Sequence, residues 1–144
     1  MERLKVAVLG AGGLVAQRLQ QRLAHHPWFD LAAVAGSARF LGQPLRNVPW
    51  VLKEERPALP DLFVLDVNDP AVVERLVAND VRAAFSALPA AEALHLEPMW
   101  AQAGITVFSN ASAHRRVDGV PLVIPEINAE ALRVDIALHM PCGL

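Results

Sequence analysis

The chain has 144 residues, 53% hydrophobic and 19% charged, a length and composition that suit one packed domain and argue against disorder. Its formal charge of -2 comes without a basic block to follow a phosphate backbone, so nucleic acid is not expected as a partner. A single cysteine excludes an internal disulfide, and no apolar run or signal-peptide pattern suits a membrane partner or export, so the cytoplasm is the expected location.

Leu4 to Leu9 is a nearly continuous apolar run, as in a parallel strand covered on both faces. The turn Gly10-Ala11-Gly12-Gly13 follows, then a helix from Leu14 to Ala24 with Leu14, Val15, Leu19 and Leu23 at helical spacing. His25-His26-Pro27 ends it, because the residue before proline is pushed out of the α region. Histidines at a helix end suit its dipole and need no functional role. Leu31 to Ala35 reads as a second buried strand, completing one βαβ unit.

Four prolines between Phe40 and Leu62 predict loop and short extended pieces, with Trp50-Val51-Leu52 as a strand. A strand at Phe63-Val64-Leu65 precedes Asp69-Pro70, an N-cap with proline at the first helical position, and a helix over Ala71 to Ala78. Val81 to Ala87 predicts a strand, and Ala90 to Ala103 a helix interrupted or re-aimed near Pro98, with Met99 and Trp100 packed inside. Ile105 to Phe108 and Leu122-Val123-Ile124 predict further strands, and Asn128 a cap for a brief helix through Leu132. The alternation is that of a Rossmann-like, doubly wound α/β domain with a mostly parallel sheet over residues 1–133, followed by an irregular tail over 134–144.

Gly10, Gly13 and Ala16 form a G-x-x-G-x-x-A turn that lets the backbone approach a pyrophosphate at the positive end of a helix dipole. A tight turn alone can need glycine for steric reasons. Its place between the first strand and first helix points instead to a dinucleotide site. The second strand ends in Gly36-Ser37-Ala38-Arg39, without the acid that holds the ribose hydroxyls of NAD. Ser37 and Arg39 suit a 2′-phosphate, so NADP is the expected cofactor; the alternative is a solvated loop arginine.

Ser86-Ala87-Leu88-Pro89 and the stretch from Ser109 to Arg115 follow two neighbouring strands, where a nicotinamide amide and ribose could be held. Helix capping is the alternative for Ser86 and Ser112. His114 reads as a packed or surface histidine rather than a catalyst, and of the adjacent Arg115 and Arg116 only one can readily face the crevice.

The strings V-A-V-L-G-A-G-G-L-V, F-S-A-L-P, F-S-N-A-S-A-H-R and V-I-P-E-I-N, in this order, resemble the N-terminal domain of aspartate-semialdehyde dehydrogenases. S-N-A-S-A-H-R is similar to the archaeal-type branch, and the resemblance runs to about residue 133. It implies NADP-dependent reduction of an acyl phosphate to a semialdehyde through a cysteine thioester, in aspartate-family amino-acid biosynthesis. It also implies that Gly10, Gly13, Leu14 and Val15, with Gly12, contact the cofactor diphosphate, and that Ser37 and Arg39 contact the 2′-phosphate. Ser86, Ala87, Leu88 and Asn110 would line the rest of the cofactor site, and Arg115 would bind the substrate phosphate.

The chain departs from that pattern in three places. Gly12 stands where the family usually has threonine, and Ala16 where it has glycine. The family's thiol lies in N-P-N-C-[ST], whereas Met140-Pro141-Cys142-Gly143-Leu144 lacks both asparagines; Cys142 is the candidate catalytic thiol, with a free cysteine of no catalytic role as the alternative. The family's second domain, with its general base, substrate-binding arginine and most of the subunit interface, is not in the sequence. The expectation is therefore a truncated NADP-binding portion, inactive alone, with exposed apolar surface that favours a homo-oligomer or a complementing second-domain chain. The alternatives are a non-catalytic NADP-binding or sensing module and a fragment like N-acetyl-glutamyl-phosphate reductase.

Overall fold

The computed structural model describes residues 2–114, 116–123, 125–131 and 138–141. Strands β1 (Leu4–Leu9), β2 (Phe29–Gly36), β3 (Val64–Asp66), β4 (Val81–Ser86) and β5 (Thr106–Ser109) are joined by two short strands, β6 (Leu122–Val123) and β7 (Leu138–Pro141). The sheet order is β3-β2-β1-β4-β5-β7-β6, and every pairing is parallel. Chain order runs outward from β1 through β2 to β3, then resumes on its other side with β4 and β5. The switch point between β1 and β4 opens a crevice at their carboxyl ends, where such sheets bind ligands.

Alternation along β1 builds both cores. Ala7 and Leu9 pack with Val73, Trp100 and Ile105 on the face covered by α2 (Pro70–Ala78) and α3 (Ala90–Gln102). Val6 and Val8 pack with Leu19, Leu23 and Val48 on the face covered by α1 (Leu14–Leu23) and the loop that follows β2. Trp100 is fully buried and donates its indole N–H to the Val67 carbonyl at 3.1 Å.

The Asp69-Pro70 signal works as expected, with Asp69 Oδ1 accepting from the Ala71 N–H at 2.9 Å. α3 continues through Pro98 where an interruption was expected. The carbonyl that loses its partner to the proline ring belongs to exposed Leu94, where water reaches it.

Three expectations are corrected in detail. Trp50, Val51 and Leu52 form no strand. Buried Gln17 on α1 takes their backbone groups instead: its Oε1 accepts from the Val51 N–H at 2.7 Å, and its Nε2 donates to the Pro49 carbonyl at 2.8 Å. A side chain supplies what a neighbouring strand would have supplied. Asn128 ends α4 (Pro125–Asn128) and a short 3-10 helix, Ala129–Ala131, follows it as expected, but the Asn128 Nδ2 donates to the Leu122 carbonyl at 2.8 Å in place of capping that turn. Within 134–144, expected to be irregular, β7 aligns Leu138 and His139 with Val107 and Phe108 of β5.

Replacing Gln17 with leucine should leave the Val51 N–H and Pro49 carbonyl unmet beside a buried methyl group. The expected loss is about 2–3 kcal/mol in urea unfolding. A loss within experimental error would show that this loop does not depend on the glutamine.

Candidate nucleotide-binding site

A crevice of about 330 Å³ lies over the switch point. One wall is the turn from Gly10 to Gly13, the second is Gly36, Ser37, Arg39 and Phe40, and the third is Ala87, Leu88, Pro89 and Glu92. Gly10 has a φ of +125°, and a Cβ there would stand 2.9 Å from the Ala16 Cβ. The positive φ demands glycine, and the small residue on α1 lets the helix approach the turn.

The turn's carbonyls point back into the protein. Gln20 Nε2 donates to the Gly10 and Ala11 carbonyls, both at 3.3 Å, and Gln17 Nε2 lies 3.4 Å from the Ala11 carbonyl. Gly13 is the N-cap of α1, with no side-chain cap and no acidic residue in the first turn. The helix start therefore presents unpaired N–H groups and the positive end of its dipole to the crevice. A Cβ on Gly13 would meet nothing within 4 Å, so the approach to these amides is open.

The end of β2 brings no carboxylate to the crevice. Ser37 and Arg39 are exposed on its wall, and the Arg39 guanidinium lies over the Phe40 ring, 4.9 Å from the centroid. The end of β4 is tied to both neighbours: the Ala87 N–H donates to the Leu9 carbonyl at 2.9 Å, and the Asn110 N–H to the Ser86 carbonyl at 3.0 Å. Ser86 Oγ is buried and has no hydrogen-bond partner among the described residues. Neither alternative capping role holds among the described residues, because α3 is capped by Pro89 and Ser112 lies in a bend followed by turn residues.

Behind the stretch after β5 lies fully buried Glu97 of α3. Ser109 Oγ donates to its Oε2 at 2.6 Å and accepts from the Ala111 N–H at 3.0 Å. His114 Nε2 lies 3.6 Å from Glu97 Oε1 and 3.1 Å from the Ala93 carbonyl. His114 is thus a packed histidine that anchors the far end of this stretch.

These features fit a dinucleotide: a turn whose one side chain is the buried Ala11 methyl, an uncapped helix start for the diphosphate, and an orphaned buried hydroxyl nearby. Of the residues singled out from sequence, the crevice gathers Gly10, Gly12, Gly13, Ser37, Arg39, Ala87 and Leu88. Ser86 and Asn110 lie beside it through their backbone bond. Leu14 and Val15 line a separate hollow with Arg18, Leu52 and Glu54 and are not among the residues lining the crevice. Arg115 and Cys142 lie outside the described residues. The sequence reading missed Gln17, Gln20 and Glu97, whose signal was a polar residue at an inward helical position, and Phe40 and Glu92, which gave none.

Among the described residues, no group of histidine, cysteine, aspartate or glutamate side chains could hold a metal ion, and no helix is long and apolar enough to cross a membrane. The family model described as semialdehyde dehydrogenase, NAD binding domain, matches residues 5–134. Over 131 residues the chain is 44% identical to the aspartate-semialdehyde dehydrogenase of Archaeoglobus fulgidus and 46% identical to that of Methanothermobacter thermautotrophicus. Each match covers 90% of this chain and 36% of the relative, so the chain spans 36% of the length of these curated relatives. The crystal structure of aspartate semialdehyde dehydrogenase with NADP from Candida albicans matches with a TM-score of 0.78 at 32% identity, over 90% of this chain and 36% of that chain. The resemblance read from the motifs therefore holds, archaeal relatives included.

Ser109→Ala should remove a hydrogen bond to a buried carboxylate and cost about 2 kcal/mol of stability. Chemical denaturation measures it, and an unchanged midpoint would mean that Glu97 finds a substitute partner.

Proposed function

Because this chain belongs to the semialdehyde dehydrogenase family through its NAD binding domain, we propose that it is the NADP-binding portion of an aspartate-semialdehyde dehydrogenase. The observation that carries the cofactor assignment is the end of β2. An acid there would hold the ribose hydroxyls of NAD and repel a 2′-phosphate. Ser37 and Arg39 stand on the crevice wall instead, and a guanidinium suits a phosphate dianion.

The amides of the Gly10–Gly13 turn and of Leu14 and Val15 would hold the diphosphate at the start of α1. Ser86, Ala87, Leu88 and Asn110 would receive the nicotinamide end, where the orphaned Ser86 hydroxyl gains a partner. When bound, the nicotinamide supplies the hydride. The reaction proposed for the whole enzyme converts an acyl phosphate into an aldehyde through a cysteine thioester, with phosphate released. Arg115 is assigned to the substrate phosphate, and Cys142 is the only thiol this chain can offer. A thioester step also needs a base and a substrate clamp. With 36% of the relatives' length, the chain alone is proposed to bind cofactor and to turn over little or nothing.

A non-catalytic NADP-binding module is the second reading. It is favoured by the crevice lining among the described residues, which runs from Gly10 to Glu92. An apolar hollow of about 270 Å³, lined by Leu19, Leu23, Phe29, Phe85 and Phe108, supports association with a second copy or with a complementing chain. Adding such a chain and recovering aspartyl phosphate reduction would sink the module reading. The same assay with N-acetyl-glutamyl phosphate separates the neighbouring reductase chemistry.

Calorimetric titration should show NADPH binding at least ~10-fold more tightly than NADH, and Arg39→Ala should remove most of that margin, about 1.4 kcal/mol. Equal affinities would overturn the NADP assignment. Light scattering at high concentration should show dimers or larger species; a monodisperse monomer would overturn the self-association arm.

A further inference from the structure

The residue that departs from the family pattern in the glycine turn has a physical partner. Gly12 has no positive φ, so its backbone would accept a side chain. What excludes one is the Phe40 ring: a Cβ at position 12 would overlap it, and the three nearest atoms all belong to that ring. Phe40 is half-buried against the cluster that holds Ala11, Ala16 and Val64, and the Arg39 guanidinium lies over its ring at 4.9 Å. Gly12, Arg39 and Phe40 all line the crevice.

We infer that Phe40 is a specificity-determining residue of the nucleotide site: its ring fills the place of a side chain at position 12 and orients Arg39 toward a phosphate on the adenosine ribose. The inference rests on the NADP reading above. An exposed arginine is spread over many rotamers when free, and a phosphate that captures it must first select one. Stacking on a fixed ring makes that selection beforehand. At an exposed site, a guanidinium over a phenyl ring shifts such a population by about two- to fivefold. The ring is held in turn by the cluster it packs against, and Gly12 leaves the space that it occupies beside the turn. The pair thus links a substitution in the diphosphate turn to recognition of the ribose phosphate.

The test uses 2′,5′-ADP and 5′-AMP, which differ in the 2′-phosphate alone, titrated into the full chain and its Phe40→Leu variant. Phe40→Leu should weaken 2′,5′-ADP by about two- to fivefold and leave 5′-AMP unchanged. An equal loss for both nucleotides, or none for either, would overturn the inference while the wild-type preference for 2′,5′-ADP kept the NADP reading intact. No wild-type preference would overturn both. A stability cycle reads the overlap without any ligand. Gly12→Ala should lower the melting temperature in the wild-type background and be tolerated in a Phe40→Ala background. Equal effects in the two backgrounds would show that the ring does not occupy the position.

Discussion

Two carbonyl oxygens in the β1–α1 turn, those of Gly10 and Ala11, face the protein interior, and α1 meets them with the amides of Gln17 and Gln20. Leucine at either position would extend the apolar face of the helix but leave a buried acceptor unmet, at a cost of about 1–3 kcal/mol each. The choice of glutamine decides more than local stability. With the carbonyls turned inward, the amides at the start of α1 remain available on the crevice side. Gln17 also reaches Pro49 and Val51, so one side chain fastens the long loop after β2 to the helix that follows the turn. That loop begins with Ser37, Arg39 and Phe40. The diphosphate wall and the ribose wall of the crevice are thus positioned by the same two residues.

Attraction for an anion here is local, because the chain as a whole carries a formal charge of -2. The start of α1 contributes roughly half a positive charge, and its first turn carries no acid to cancel it. Glu92 on the opposite wall lies in the first turn of α3, where its charge favours that helix's own dipole. Further back on α3, Glu97 Oε2 accepts from Ser109 at the start of the stretch after β5, and the Ala93 carbonyl meets His114 Nε2 at its end, while Glu97 Oε1 has no hydrogen-bond partner among the described residues. Taking a carboxylate out of water is expensive, so this arrangement is weak evidence for stability. Its geometric effect is plain: both ends of the segment before Arg115 are tied to α3.

The fold was legible because periodicity reports which face of an element is buried. β1 was placed to the residue, and α1, α2, α3 and the remaining core strands to within a few residues, from apolar spacing and one proline-marked cap. Trp50-Val51-Leu52 looked like a strand on the same criterion and is not one, because periodicity cannot tell that a glutamine more than thirty residues earlier takes its backbone groups. The glycine turn and the missing acid after β2 were legible for a similar reason, since both are local. The Gly12–Phe40 overlap was not, although Gly12 was noticed as a departure: its explanation lies 28 residues away and depends on where the loop folds back. Glu97 could have been flagged as a charge sharing an inward face with Ala93 and Trp100, yet only the structure shows what it holds.

The crevice and the chemical motifs divide along the chain, and that division bears on what a part of such an enzyme can do. Among the described residues, those on the crevice walls come from Gly10 to Glu92, and the strands beneath them are buried at the sheet centre. Binding free energy for a dinucleotide can therefore be developed within this unit. Turnover is a different demand: it requires a thiolate, a base and a substrate held within a few tenths of an ångström of the hydride path. Energy spent on holding the cofactor does not substitute for those groups, because it is gained equally before and during the reaction.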